Sequence, residues 1–300
     1  MQLRRPVALC FTLLSACAND LGTAGPDEAV SAAPALAEPD FREIAAADWE
    51  LASGEEKYVC ARQVLPASIY VGTWHGITPN GTHHALLTQA VEPDGLPDGV
   101  TECDAAALAP QTVFGAGVGS GDRHLPPGIA AKLEQGSQIL LNLHLFNASD
   151  QPLRGRSGVA ALMLEERDVS VLSDTLSAGP IKLVIPPGVS TSRGTCTLRR
   201  DATIFGVGPH MHQMGIAMQV VAHTASYGDL MLFDGPYDFE DQRGYPLDML
   251  QLKAGDTIDV ACTYDNTTGM TLHFGTSSNQ EMCIAGLGRF PAGGPSNCAN

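Results

Sequence analysis

The chain has 300 residues, 44% of them hydrophobic, which is enough for one large domain or two medium-sized domains with a substantial core. Its 33 acidic residues outnumber its 17 Lys and Arg residues. The resulting formal charge of −16 excludes a nucleic-acid-binding surface, which needs clustered cations. The 32 Gly and 20 Pro residues favour an all-β chain with many turns. No apolar run reaches the roughly 18–20 residues of a membrane span.

The first residues have the layout of an export signal. Two Arg residues precede the apolar stretch 6–14, and the sequence Leu-Ser-Ala-Cys then ends at Cys17. This order is typical of a secretory signal peptide, and its last four residues resemble a bacterial lipobox. We therefore predict a signal over 1–17 with Cys17 as the lipidation site, followed by a flexible linker over 18–38. An ordinary signal with a chance Cys is the alternative.

These features predict where the protein resides. The signal directs it to the bacterial cell envelope or periplasm, and one lipid at Cys17 would hold it at a membrane without spanning it. If the lipobox is spurious, the protein is secreted. Six Cys residues follow the lipobox, and an even number in an exported chain indicates three disulfides, although six Cys residues allow fifteen pairings. They are Cys60, Cys103, Cys196, Cys262, Cys283 and Cys298.

From Lys57 onward, short runs of strand-forming residues alternate with turn residues. The run 138–146 alternates cleanly, with Leu and Ile on one side and Asn142 and His144 on the other. The run 257–264 alternates in the same way. Only residues 39–56 and 127–135 are compatible with a helix.

A charged and Ser-rich stretch near residues 165–180 separates two sets of these runs. We therefore predict an all-β fold made of two antiparallel, jelly-roll-like β-sandwiches in tandem, over residues 39–170 and 171–300. The two halves show no convincing sequence repeat.

The placement of the nine His residues is more informative than their number. His83 and His84 are adjacent. On an ideal strand their side chains point to opposite faces, so both can bind one metal only at a strand end or a β-bulge. His210 and His212 share one face of a strand. Such a pair also occurs in zinc sites and by chance, so the pattern alone indicates a metal site without naming a reaction.

Met282, directly before Cys283, offers a thioether as a further candidate metal ligand. A disulfide-bonded Cys is unavailable to a metal, whereas its Met neighbour is available. Two imidazoles and a thioether select a soft ion, and Cu(I) fits best. A lone Met in a strand is more often core filler.

Taken in order, six segments of the sequence resemble the type II copper, ascorbate-dependent monooxygenases, the group of peptidylglycine α-hydroxylating monooxygenase and dopamine β-monooxygenase. The resemblance runs from about Tyr58 to Cys283. The segments are Tyr58-Val59-Cys60, Thr82 to Leu87 with its His pair, Leu125-Pro126-Pro127-Gly128, Leu143-His144, Pro209 to Gly215 with His-Met-His, and Phe274 to Cys283 with Gly-Thr-Ser-Ser and Glu-Met-Cys.

The resemblance implies two copper ions per chain. His83, His84 and His144 would form an electron-storing site in the first domain. The oxygen-activating site in the second domain would consist of His210, His212 and Met282. The disulfides implied by the family pattern are Cys60–Cys103, Cys196–Cys298 and Cys262–Cys283.

The family reaction implied is hydroxylation of a substrate C–H bond by O₂. Ascorbate or a similar one-electron donor reduces both copper ions, and the electron-storing site supplies the second electron across a wet gap between the domains. O₂ and a small-molecule substrate are therefore the expected partners, and the sequence leaves the oligomeric state open.

The sequence departs from peptide-amidating relatives at the substrate side. Gly208 stands where those relatives carry a basic residue for a substrate carboxylate, and Ile284 and Ala285 follow the Met-Cys pair. A cleft lined by these three residues predicts a small neutral or apolar substrate. Asn142, two residues before His144, could orient a ligand, but it is better explained as an ordinary strand amide. His75, His124, His223 and His273 match no copper ligand.

Two other functions stay open on the sequence alone. The chain could be a copper-binding or copper-delivering lipoprotein that retained the ligands and lost turnover. It could also be a β-sandwich adhesion or carbohydrate-binding module with incidental His residues. Copper content separates the third hypothesis from the first two, and O₂ consumption separates the first from the second.

Overall fold

The computed structural model of the protein describes residues 40–117, 119–239, 241–275 and 280–299. The predicted signal over 1–17, Cys17 and the linker 18–38 lie outside these residues. Within the described ranges, no helix is long and apolar enough to cross a membrane.

Strands make up nearly all of the regular structure. The first half of the chain contains β1 Arg42–Leu51, β2 Glu56–Val64, β3 Ile69–Ile77, β4 Thr82–Ala90, β5 Gly99–Cys103, β6 Gln111–Gly117, β7 Arg123–His124, β8 Ile129–Leu133, β9 Gln138–Phe146 and β10 Leu153–Leu164. The second half contains β11 Val171–Gly179, β12 Val184–Ile185, β13 Gly188–Thr197, β14 Ala202–Met211, β15 Gly215–Thr224, β16 Gly228–Pro236, β17 Tyr245–Leu252, β18 Thr257–Asn266, β19 Leu272–His273, β20 Cys283–Phe290 and β21 Asn297–Ala299. A single 3-10 turn, Glu166–Asp168, lies between these two sets.

Each half packs two sheets around a core of its own. The first core is drawn from residues between Ile44 and Ala161, and the second from residues between Leu176 and Leu287. A five-stranded sheet in the order β5-β2-β9-β4-β6 belongs to the first half. A four-stranded sheet in the order β13-β18-β15-β16 belongs to the second. The all-β prediction of antiparallel sandwiches is therefore confirmed.

One large sheet runs through both halves. Its order is β1-β10-β3-β8-β11-β20-β14-β17, with β7 beside β3 and β21 beside β11. The halves meet where β8 pairs with β11 in parallel, from Ile129 opposite Val171 to Ala131 opposite Ser173. The Ser-rich stretch that the sequence suggested as a separator is therefore partly a strand of this sheet. The limits 39–170 and 171–300 stay predictions.

The expectation of helix over 39–56 and 127–135 is wrong, because these segments form β1 and β8. In β1 the alternate residues Ala47, Trp49 and Leu51 are buried, which is the period-two pattern of a strand. The Ala-rich start favours helix by intrinsic propensity, but pairing with β10 along the whole segment overrides that preference.

The alternation read in the two central strands is confirmed. Ile139, Leu141, Leu143 and Leu145 of β9 are fully buried, and so are the alternate residues of β18 from Ile258 to Tyr264. The other face of β9 is buried as well, because protein covers it. Asn142 donates from its side-chain amide to the carbonyl oxygens of Asp104 (2.9 Å) and Ala107 (3.1 Å). This amide therefore fastens the loop after β5 and is an ordinary structural residue.

Three disulfides join the same pairs that the family resemblance implied. Cys60 bonds to Cys103 between β2 and β5. The second half contains the other two, Cys196–Cys298 and Cys262–Cys283. Disulfides persist in oxidising compartments, so this pattern indicates an extracellular or periplasmic protein.

Candidate metal centres

A β-bulge places the two adjacent His residues of β4 on one side. Thr82 pairs with Leu145 and His84 pairs with His144, so His83 is the extra residue between two register positions. A bulge turns neighbouring side chains toward the same face. The Nδ1 atoms of His83 and His84 lie 3.2 Å apart as a result. This is the irregularity that the sequence required if both residues were to bind one metal.

His144 completes this first cluster from the neighbouring strand β9. One donor atom from each of the three His side chains lies within 4.8 Å of the others, an arrangement that could hold a metal ion. The Nε2 atom of His144 lies 2.6 Å from Glu56 Oε1, and its ring stacks on Tyr58 with ring centroids 4.4 Å apart. Because a carboxylate accepts hydrogen bonds, Nε2 donates and Nδ1 is the atom with the lone pair.

Electrostatics favour the neutral form of His84. Burial holds the pKa of His84 well below its usual range, and the neighbouring His144 and His83 lower it further. The fields of His210 and His212 also reach this ring. A neutral imidazole offers a lone pair to a metal, whereas a protonated imidazole offers none. At neutral pH, His84 therefore presents an imidazole donor without a proton to displace.

The second pair of imidazoles lies at the end of β14. The rings of His210 and His212 are 5.4 Å apart between centroids and nearly perpendicular. The Nδ1–H of His212 donates to the carbonyl oxygen of Gln280 (2.9 Å), and His210 Nδ1 contacts Gln242 Oε1 at 2.8 Å. These contacts fix the orientation of both rings through their Nδ1 atoms. Burial lowers the pKa of His210.

Met282 stands just before β20, next to the strand that carries this pair. Met211 pairs with Cys283, so His212 and Met282 are the next residues along the two strands. The Cys262–Cys283 disulfide and a hydrogen bond from the Tyr264 hydroxyl to the Met282 carbonyl oxygen (2.9 Å) hold the Met282 backbone. The Gly-Thr-Ser-Ser part of the motif falls largely on residues 276–279, outside the described ranges.

Glu281 is a site residue that the sequence reasoning passed over. Its side chain is fully buried, and its carboxylate accepts the backbone N–H groups of His212 (3.0 Å) and Met214 (2.8 Å). Burial raises the pKa of Glu281, and these hydrogen bonds oppose the rise. The carboxylate therefore ties the His-Met-His turn to the segment that carries Met282. The signal was its position beside Met282 in the Glu-Met-Cys motif.

The four remaining His residues make contacts outside the two clusters. His75 and His223 contact carboxylates, His124 contacts a hydroxyl, and His273 contacts the Leu183 carbonyl oxygen. One residue of the predicted substrate cleft is misplaced, because Ala285 is fully buried in the second core. Residues of β20 alternate between faces, so Gly286 lies on the His210 side in its place.

A comparison with protein families bears on the second half. Residues 169–299 match the family model described as "Copper type II ascorbate-dependent monooxygenase, C-terminal domain". This match supports the type II copper, ascorbate-dependent monooxygenase family for these residues. The matched segment contains His210, His212 and Met282. For the residues before 169 the family resemblance remains a prediction.

Among solved structures, the chain is similar to a candidate secreted protein from Parabacteroides distasonis. The identity is 11%, the match covers 87% of this chain and 85% of that chain, and the TM-score is 0.20. A likeness this weak transfers neither a fold nor an activity.

The donor sets fit copper. Each cluster contains an imidazole whose neutral form is favoured, His84 in the first and His210 in the second, and the second cluster has a thioether beside it on the paired strand. Imidazole suits copper in both oxidation states, and a thioether favours Cu(I). The first cluster contains no carboxylate ligand, which is the donor that hard ions such as Ca²⁺ and Mg²⁺ require.

Proposed function

We propose that the chain is an exported copper-dependent monooxygenase that uses O₂ and an ascorbate-like one-electron reductant to hydroxylate a C–H bond of a small neutral or apolar substrate. The observation that carries this proposal is the bulged cluster of His83, His84 and His144. It could hold a metal ion in a chain whose second half matches the C-terminal-domain model of the copper monooxygenases, and this combination supports a first copper site beside the one proposed in the second half.

In this proposal each half holds one copper ion. His83, His84 and His144 hold the electron-storing ion, and His210, His212 and Met282 hold the other. Bound copper supplies O₂ activation and one-electron transfer, which no protein side chain provides alone. The protein contributes fixed ligand orientations, through the Nδ1 contacts of His210 and His212 and through the Glu281 carboxylate.

The substrate class follows from the face of the sheet beside His210. Ile284 pairs directly with His210, and Gly208 pairs with Gly286. Cross-strand partners share a face, so an aliphatic side chain and two glycines surround the imidazole. These groups offer neither a cation nor a hydrogen-bonding side chain to a charged substrate, so binding would come from apolar contact and shape.

The cellular location is part of the same proposal. The three disulfides support an oxidising compartment, and the signal over 1–17 would direct export. A lipid on Cys17 and the linker 18–38 would hold the sandwiches near a membrane surface. Mass spectrometry of the intact protein from a bacterial envelope fraction tests this. A diacylglyceryl-modified N-terminal Cys17 is expected, and a chain cleaved elsewhere contradicts it.

The deciding experiment measures copper and O₂ together. We expect two copper ions per chain, a Cu(I) X-ray absorption spectrum with one sulfur ligand per two metals, and ascorbate-dependent O₂ uptake with a suitable apolar substrate. Met282→Ile should remove the sulfur signal and the hydroxylation while the disulfide-bonded fold remains. Met270→Ile, at an exposed position, is the matched control.

Each other outcome points elsewhere. Stoichiometric copper without O₂ uptake across a broad substrate panel would favour a copper-delivery lipoprotein. No copper after reconstitution would favour an adhesion or carbohydrate-binding module. Unchanged turnover in Met282→Ile would show that the assigned oxygen site is wrong.

A further inference from the structure

A short segment between β16 and β17 lies between the two His clusters. We call residues 237–239 and 241–242 the strap. Its first residue, Tyr237, is buried and donates its hydroxyl to the carbonyl oxygen of Met211, 2.5 Å away. Met211 is the residue between the two imidazoles of the second cluster. The strap is therefore anchored on the backbone of the His-Met-His turn.

The aromatic ring of Phe239 contacts one imidazole from each cluster. Its centroid lies 4.3 Å from that of His83 in the first half and 6.4 Å from that of His212 in the second. The Phe239–His212 separation of 6.4 Å lies within the range of roughly 4.5–7 Å in which aromatic rings attract each other, and the Phe239–His83 separation of 4.3 Å is slightly shorter. A rigid ring with few rotamers therefore occupies the space that the family resemblance expected to be a wet gap.

Gln242 fastens the other end of the strap to both halves. Its side-chain oxygen lies 2.8 Å from His210 Nδ1, and its side-chain nitrogen donates to the carbonyl oxygen of Phe239 (3.1 Å). Its own backbone carbonyl accepts the hydroxyl of Ser120 (3.1 Å), which belongs to the first half. Ser120 also accepts the N–H of Gly117 at the end of β6, the strand that pairs with the bulged β4.

Close packing leaves little freedom at this junction. A Cβ atom on Gly117 would lie 3.4 Å from the His83 carbonyl oxygen and 3.9 Å from the Gln242 Cβ. The backbone of the first half therefore approaches both the bulge and the strap. A shift of the strap must move the ring between the clusters, the turn at Ser120 or both.

We propose that Phe239 is a positioning residue that sets the separation and relative orientation of the two metal centres, with Gln242 and Ser120 holding it in register. This inference rests on the proposed two-copper function, since it assigns a role to a residue between the two sites. Phe239 belongs to neither ligand set. We therefore expect it to affect the distance between the two centres and the spread of that distance.

The first test is a distance measurement on the full chain loaded with Cu(II). Pulsed electron paramagnetic resonance gives the separation of the two ions in wild type, Phe239→Ala and Phe239→Leu. The matched control is Phe233→Ala, which removes an aromatic ring from β16 that packs on Tyr245. We expect a shifted and broadened distance distribution in Phe239→Ala, substantial recovery in Phe239→Leu and no change in the control. A Phe239→Ala distribution that superimposes on wild type overturns the proposal.

A second measurement needs no metal. Hydrogen exchange of the metal-free protein should show the amides of β4 near His83 and of β6 near Gly117 exchanging about tenfold faster in Phe239→Ala, with the control unchanged. Ser120→Ala, which cuts only the bond to Gln242 and its local turn contact, should give a smaller change of the same kind. Unchanged exchange in both variants contradicts a positioning role for the strap.

The two proposals fail in different ways. If wild type binds fewer than two copper ions while the exchange differences are present, the proposed function is wrong and the strap still orders the His clusters. If two ions bind and neither the distance nor the exchange responds to Phe239, the function stands and the positioning role falls. If Phe239→Ala does not fold, Ser120→Ala carries the comparison, with faster exchange near Gly117 as the expected result and unchanged exchange as the result that overturns the proposal.

Discussion

In the first half, β4 pairs with β9 and skips one residue at His83. In the second half, β15 pairs with β18 and skips one residue at Ile216. The residues that follow each bulge also correspond, because His84 pairs with His144 and Ala217 pairs with Thr263. The same irregularity therefore presents three imidazoles in one half and Ile, Ala and Thr in the other.

The turns around these strands repeat as well. Before β9, the N–H of Gly136 donates to the Leu65 carbonyl oxygen. Before β18, the N–H of Gly255 donates to the Leu198 carbonyl oxygen, and both distances are 2.9 Å. Both glycines have positive φ, which other residues rarely adopt.

The loops after the two strands match in the same way. Asn147 and Asn266 are buried, and each donates to backbone carbonyls while its side-chain oxygen accepts from the residue two positions later. The backbone framework of the two halves is thus repeated, although their sequences show no convincing repeat.

The difference between the halves lies in which sheet carries the ligands. The first cluster stands on the five-stranded sheet, whereas His210 and His212 stand on β14 of the large sheet. The strand of the first half equivalent to β14 is β3, which pairs with β8 and β10 as β14 pairs with β17 and β20. A shared framework therefore does not locate a site. The side chains placed at a bulge or a strand end decide it.

The largest expected effect comes from exchanging the bulge residues. His83→Ile with His84→Ala gives the first half the residues of the second, and copper content should fall from two ions per chain to one because two of three donors are gone. The reciprocal variant, Ile216→His with Ala217→His and Thr263→His, should gain a metal site on an exposed strand face. Metal analysis after desalting measures both, and an unchanged copper content in the first variant would contradict the assignment.

The next largest effect concerns the Glu281 carboxylate, which holds the turn of the second ligand set. Glu281→Ala leaves two buried N–H groups without their carboxylate, so we expect a loss of about 2–3 kcal/mol in the free energy of unfolding. Glu281→Gln keeps one acceptor and should lose less. Urea unfolding of both variants measures this. Equal stability of Glu281→Ala and wild type would show that the carboxylate is not needed to hold the turn.

A smaller effect tests the repeated framework itself. Asn147→Ala and Asn266→Ala should each lower the free energy of unfolding by about 1–3 kcal/mol, because each leaves buried backbone groups unpaired. Asn80, in a third Asn-x-Ser/Thr sequence, is exposed, so Asn80→Ala should change stability by less than about 0.5 kcal/mol. A large loss in one half with none in the other would break the correspondence.

The smallest effect concerns an exposed imidazole on β15 of the second half. The hydrogen bond to Asp229 raises the pKa of His223, and Asp259 contributes in the same direction. A raised folded-state pKa stabilises the fold at pH below the unfolded value of about 6.5, and this contribution is lost as pH rises through the folded-state pKa. NMR titration should show a raised His223 pKa that falls in Asp229→Asn. An unchanged midpoint in that variant would exclude the ion pair as the cause.

Local patterns predicted the parts of the fold that local forces determine. The alternation of β9 and β18 survives in the structure because each buries one face against its own core. The identities of β1, β8 and β11 could not be read in the same way. The Ala-rich start of β1 has helical propensity. The strands β8 and β11 are specified by pairing with strands elsewhere in the chain, β8 with β3, β11 with β20, and each with the other.

The candidate site also combines features that local sequence predicts with features that depend on distant contacts. If adjacent His83 and His84 bind one metal, elementary geometry requires a strand end or a bulge, and the structure contains a bulge. Glu281 and Phe239 were passed over because their roles depend on contacts with residues far away in sequence. A buried carboxylate or an aromatic ring between two clusters has no periodic signature in the sequence.

The parallel contact between β8 and β11 has a consequence for how the chain matures. Without β11, β8 would be the border of its sheet, with unsatisfied hydrogen-bonding groups available to another molecule. The amino-terminal sandwich is synthesised first, so the backbone groups at this edge stay unpaired until β11 has been made and pairs with β8. The second half therefore covers this edge of the first, and we expect the first half alone to associate more readily than the whole chain.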